Sequence, residues 1–92
     1  MKYVSLNVKH GGVTQKLVIA FPNDLVHAEV SKAMQLCCRA HWKGAQIQTV
    51  NAGDIWIDDA ITGGHSESLG LTGNPEDSRT FLSSDHGGHF TC

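Results

Sequence analysis

Cys37 and His41 stand four residues apart, and His86, His89 and Cys92 follow one another at intervals of three at the end of the chain. Thiolate and imidazole are favoured ligands of tetrahedral zinc, and groups at i and i+4 share one face of a helix. With six histidines and three cysteines in 92 residues, a zinc staple built from Cys37, His41, His86, His89 and Cys92 is the first chemistry to consider. Neither half has the paired Cys-x-x-Cys spacing of a zinc finger. The plainer alternative makes Cys37 and Cys38 small core residues and leaves His86 and His89 in a tail. Catalytic groups are scattered. His65 near Glu67, or Asp58 and Asp59 with His86, are residue types that do general acid–base work, but their spacing fixes no geometry. Gly63 and Gly64 lack the lysine of a phosphate loop. A cysteine nucleophile needs an exposed, electropositive setting, whereas Cys37 falls on an apolar stripe. The expectation is a protein with no active site and no required cofactor, with zinc as the alternative.

Binding chemistry is better represented. Lys32, Gln35, Arg39 and Lys43, with Trp42 beside them, recur at helical spacing and are the candidate partner-contact residues. Arginine and tryptophan are frequent anchors of protein interfaces. Lysine and arginine also meet phosphates, and Lys9 and Lys16 would add to that, with Trp42, Trp56 or Tyr3 stacking a base. These side chains must be positioned by segment 24–43, the one stretch that reads as a full-length helix. Val26, Val30, Ala33, Cys37 and Ala40 give it an apolar stripe, widened on one side by Met34, Cys38 and His41. Glu29, Lys32, Gln35, Arg39 and Lys43 stand opposite. Asn23 or Asp24 after Pro22 is a capping residue, and Gly44 marks the end.

A one-sided helix needs a flat surface to cover. Residues 2–9 alternate, with Val4, Leu6 and Val8 on one side and Ser5, Asn7 and Lys9 on the other, which is the period of a half-buried strand. Gly11 and Gly12 supply a hairpin turn into a second strand over 13–21, closed by Pro22. After the helix, 45–50 reads as a third strand. Asn51, Ala52, Gly53 and Asp54 read as a turn, and Ile55, Trp56 and Ile57 as a fourth strand. The expected fold is α+β: a four-stranded antiparallel sheet in the order ββαββ with one helix packed on it.

Residues 1–59 form that core, carrying six basic and five acidic groups, and 60–92 form a segment of the same domain with one basic and four acidic groups. The segment holds six of the ten glycines. Asn74, Pro75, Glu76 and Asp77 open a short helix over 75–82, with Phe81 and Leu82 to bury, and Leu69 and Leu71 form a brief edge strand or anchor a loop. A formal net charge of −2 argues against a broad nucleic-acid footprint and against an acidic DNA mimic. The start lacks the apolar core of a signal peptide, and no run reaches the roughly 20 apolar residues of a membrane span. An odd cysteine count without an export signal predicts reduced thiols and a cytoplasmic protein.

The opening hairpin YVSLNVKHGGVTQKLVIAF, the lone helix ending KAMQLCCRAHWKG and the glycine-rich tail together resemble the small accessory proteins of bacteriophages and other mobile elements, the anti-CRISPR proteins among them. The likeness is one of layout over the body of the chain, without a shared motif, and carries no functional residue across. It implies a non-catalytic inhibitor that occludes a surface of a host protein–RNA defence complex, with possible RNA contact through the basic helix face. A small zinc-stapled nucleic-acid-binding domain is the alternative, and a small hydrolase or nuclease comes after it.

Overall fold

A computed structural model of the chain describes residues 1–56, 61–82 and 87–89. Strands β1 (Lys2–His10) and β2 (Val13–Phe21) pair antiparallel in uninterrupted register, from Lys2 opposite Phe21 to His10 opposite Val13. Gly11 and Gly12 both take positive φ, 60° and 79°, which the tight turn requires. Helix α1 (His27–His41) follows, then β3 (Gln46–Trp56) on the far side of β1, and β4 (Ile61–Gly63) beside the end of β3. These four strands make the antiparallel sheet expected from the alternation pattern. A two-stranded ribbon, β5 (His65–Ser66) with β6 (Leu71–Thr72), precedes helix α2 (Asp77–Leu82). Finally β7 (Gly87–His89) adds a parallel strand outside β2, giving the order β4-β3-β1-β2-β7.

The fourth strand is not where the alternation placed it. Asn51, Ala52, Gly53 and Asp54 form no turn; they continue β3, pairing with Ser5, Val4, Tyr3 and Lys2. The cause is a bulge: Ser5 lies opposite Asn51 but Leu6 opposite Thr49, so Val50 is an extra residue. A bulge reverses the alternation of side chains beyond it. Thr49 and Ala52 therefore both face α1, although their spacing is odd, and a simple period-two reading breaks off at Val50. Gly53 has a packing role: a Cβ there would collide with the backbone carbonyl of Gly63, which also crosses close over Gly73. Ile55 and Trp56 complete β3, and Ile61–Gly63 supplies the fourth strand.

The sheet is covered on both faces at one end. Under α1, Val4, Leu6, Ile19, Phe21, Val30 and Ala52 form one cluster, joined by half-buried Leu25, Met34, Ile47, Leu69 and Leu71. On the other face, Tyr3, Val18, Ala20 and Ile55 form a second cluster against Phe81 of α2. Trp56 is not in the core or at its rim: it is 53% exposed at the end of β3.

α1 is rotated about one position from the stripe read in the sequence. Its buried residues are His27, Val30, Ser31 and Cys38. Val26, Cys37 and Ala40 are exposed, and Ala33 is only half-buried. Polar contacts set this phase. His27 Nε2–H donates to the Gly53 carbonyl at 2.8 Å, with its ring edge-on to Phe21 at 5.4 Å between centroids. Ser31 and Thr49 hydroxyls meet at 2.5 Å, and the Gln35 amide donates to Thr49 at 3.2 Å. The bulged strand offers hydrogen-bond partners, so polar residues occupy part of the buried face.

Candidate functional site

Contact residues read from the sequence fall on the outer side of α1. Lys32, Arg39 and Lys43 are exposed, with Lys43 just beyond the helix end at Trp42. Lys32, Leu36, Arg39 and Lys43 recur at alternating intervals of four and three, and Leu36 is 57% exposed among them. No carboxylate pairs with these three cations among the described residues. Beside them, Leu25, Glu29, Val30 and Ala33 line a shallow hollow of about 190 Å³. Exposed Val26, Cys37 and Ala40 continue the apolar strip. Trp42 is half-buried and closes α1 over Val8, His10, Val13 and Gln15, so its ring is partly engaged in packing. It also stands edge-on to His41, 4.5 Å between centroids. Gln35 is half-buried in the network with Ser31 and Thr49 and faces β3 rather than the outer side.

Among the described residues, the proposed zinc ligands Cys37 and His41 are not joined by a third ligand. Cys37 and His41 are exposed on α1. The backbone of His89 pairs with Ala20, whereas α1 ends over Val13, about 23 Å along β2 at roughly 3.3 Å per residue. His86 and Cys92 lie outside the described residues, as do Asp58 and Asp59. Among the described residues no three His, Cys, Asp or Glu side chains gather as a metal site would need. His65 and Glu67 are 3.9 Å apart and both exposed, a solvated pair.

A buried polar cluster on the opposite face was not foreseen. Tyr3 and Asp77 are each fully buried. The Tyr3 hydroxyl donates to Asp77 Oδ2 at 2.8 Å and accepts from the Asn74 N–H at 2.8 Å. Lys16 Nζ forms an ion pair with Asp77 Oδ1. Burial, opposed by the Asn74 contact and reinforced by the Asp77 carboxylate, pushes the Tyr3 phenol well above its ordinary value. Tyr3 is therefore not available to stack a base. Thr62 donates to the Asn74 carbonyl at 2.6 Å and ties β4 to the same knot. The only sequence signal was Tyr3 in phase with Ser5 and Asn7, on the strand face taken as solvated. What covers it lies more than seventy residues away (|i−j| = 74 for the Tyr3–Asp77 bond).

Comparison with protein-family models, with curated proteins and with solved structures gives no match to this chain. Function is accordingly argued from these surfaces. No helix among the described residues is long and apolar enough to cross a membrane.

Proposed function

We propose that this protein acts by binding a macromolecular partner, without catalysis, through the outer side of α1. The observation supporting this is the exposed apolar strip of Val26, Leu36, Cys37 and Ala40 flanked by Lys32, Arg39 and Lys43, with which no carboxylate among the described residues pairs. An apolar centre with a charged rim is the usual anatomy of a protein interface. Cations without local partners favour an acidic surface opposite them. More specifically, the partner is a host protein–RNA defence complex and the protein a phage-type, anti-CRISPR inhibitor that occludes it. Occlusion requires a stable surface and no catalytic geometry, in keeping with the scattered titratable groups. The cellular setting of this reading is the bacterial cytoplasm.

The test is phage plaquing on hosts carrying active CRISPR systems, with and without the protein. Wild type is expected to restore plaquing in one system, and Arg39→Glu with Lys43→Glu to abolish that effect while the far-ultraviolet spectrum stays unchanged. If plaquing is restored equally by the charge-reversed protein, the α1 surface is not the contact. If no system responds, the inhibitor reading falls.

A further inference from the structure

The sheet face turned away from α1 carries a second surface, built from residues that the α1 reading does not use. Strand register sets Gln46, Lys9 and Thr14 side by side in one row, and Gln48, Asn7 and Lys16 in the next. Both rows point the same way, because Asn7 and Lys9 alternate with the core residues Leu6 and Val8. Lys9, Thr14, Gln46 and Gln48 are exposed, while Asn7 and Lys16 are half-buried. Asn7, Lys9, Thr14, Gln46 and Gln48 border, with Ile47, an open groove of about 480 Å³. The next row toward α2 holds Ser5, whose buried hydroxyl has no hydrogen-bond partner among the described residues. Two ammonium groups, three primary amides and two hydroxyls thus lie together. The carboxylate that the described residues bring to them, Asp77, is buried and engaged by Lys16 and Tyr3.

We propose that this polar grid binds single-stranded nucleic acid, with Lys9 meeting a phosphate, Lys16 held on Asp77 beneath it, and the amides of Asn7, Gln46 and Gln48 meeting base edges. An amide offers a donor and an acceptor together, the complement of an adenine edge, whereas an acidic peptide side chain offers acceptors alone. Neighbouring strands lie about 4.8 Å apart and diagonal neighbours about 7–8 Å, so a row of unstacked bases can lie across the grid. Duplex base edges are recessed in grooves that a flat sheet face does not enter. The grid carries no aromatic ring, so stacking adds little.

Fluorescence anisotropy of a short labelled oligoadenylate over a salt series tests this. One phosphate contact gives a shallow slope of log K against log salt of about −0.7 for a single strand. Lys9→Glu is expected to weaken binding about tenfold and to remove the salt slope. Gln46→Ala with Gln48→Ala should leave the slope intact and erase a preference for oligoadenylate over oligouridylate. Arg39→Glu with Lys43→Glu, on the opposite face, should change nothing, which separates this surface from the α1 contact. Failure to see saturable binding overturns the proposal, as does binding indifferent to Lys9→Glu. Equal competition by polyglutamate would also overturn it and assign the grid to an acidic protein surface.

Discussion

α1 and α2 cover opposite faces of the same sheet, and different forces hold them there. α1 has fifteen residues and sits on Val4, Leu6, Ile19, Phe21 and Ala52, a contact made mainly by apolar area. α2 has six residues, and the described hydrophobic side chain it adds to the Tyr3, Val18, Ala20 and Ile55 cluster is Phe81. So short a helix is not stable by itself. Its place is fixed by Asp77, which takes a hydrogen bond from Tyr3 and an ion pair from Lys16. Apolar area holds α1 down while the hydrogen bonds of His27, Ser31 and Gln35 set its rotation; at α2 the polar fastening supplies the hold itself and depends on single atoms.

The largest expected effect is on the apolar side. Phe21→Ala removes a fully buried ring that also packs against His27. A loss of about 3–5 kcal/mol is expected in urea denaturation, a large share of the stability of so small a domain. A loss below about 1 kcal/mol would mean that α1 is not seated by apolar burial.

On the polar side, Asp77→Asn keeps the shape and leaves Lys16 without its counter-charge. Lys16 retains 29% of its side-chain exposure, so water partly compensates, and a loss of about 2 kcal/mol is expected. Hydrogen exchange should locate it: amides of 61–82 lose protection while those of β1, β2 and α1 keep theirs. Uniform loss across the chain would show that the two covers are one cooperative unit.

Tyr3 gives the same side a pH signature. Its phenol holds the proton more tightly folded than unfolded, because burial disfavours the phenolate. The associated stability is complete below about pH 10 and declines as pH rises beyond it, by at most about 1.4 kcal/mol per unit. The chain has one tyrosine, so its ultraviolet titration is unambiguous. No phenolate signal is expected near pH 10 until the protein unfolds, and Tyr3→Phe should remove this component of the alkaline slope. A folded protein titrating near pH 10 would place Tyr3 in solvent.

Local patterns were legible where they were regular. The first hairpin follows from alternation ended by Gly11 and Gly12, and helix formation over 27–41 from its period. The α2 region was announced by Asn74, whose Oδ1 accepts the Glu76 N–H at 3.0 Å. What escaped was set by distant partners. Gly53 reads as a turn residue until Gly63 is seen crossing it. Tyr3 reads as an exposed strand position until Asp77 arrives from the other end of the chain. The basic residues Lys32, Arg39 and Lys43 were found by type and spacing, but the grouping of Lys9 and Asn7 with Gln46 and Gln48 needed the pairing of β1 with β3, which no local pattern announces.

The phase of α1 can be checked by the chemistry of its paired thiols, the smallest perturbation of the comparison. Cys37 is exposed and Cys38 is 3% exposed, although a stripe through Val26, Val30 and Ala33 puts Cys37 inside. Burial, and next the neighbouring Cys37, raises the Cys38 thiol and further lowers its thiolate fraction. Brief alkylation of the folded protein, followed by peptide mass spectrometry, should label Cys37 at least about tenfold faster than Cys38, since thiolate and access both favour it. Cys38 should react only as fast as α1 opens, so Phe21→Ala should accelerate it while Asp77→Asn should not. Acceleration by Asp77→Asn would show that the polar knot on one face also holds the helix on the other, and the distinction between the two covers would fail. Labelling of Cys38 ahead of Cys37 would return the helix to the orientation read from its apolar stripe: Lys32 and Arg39 would stay outside, but Val26, Cys37 and Ala40 would turn into the core and leave the proposed contact without its apolar centre.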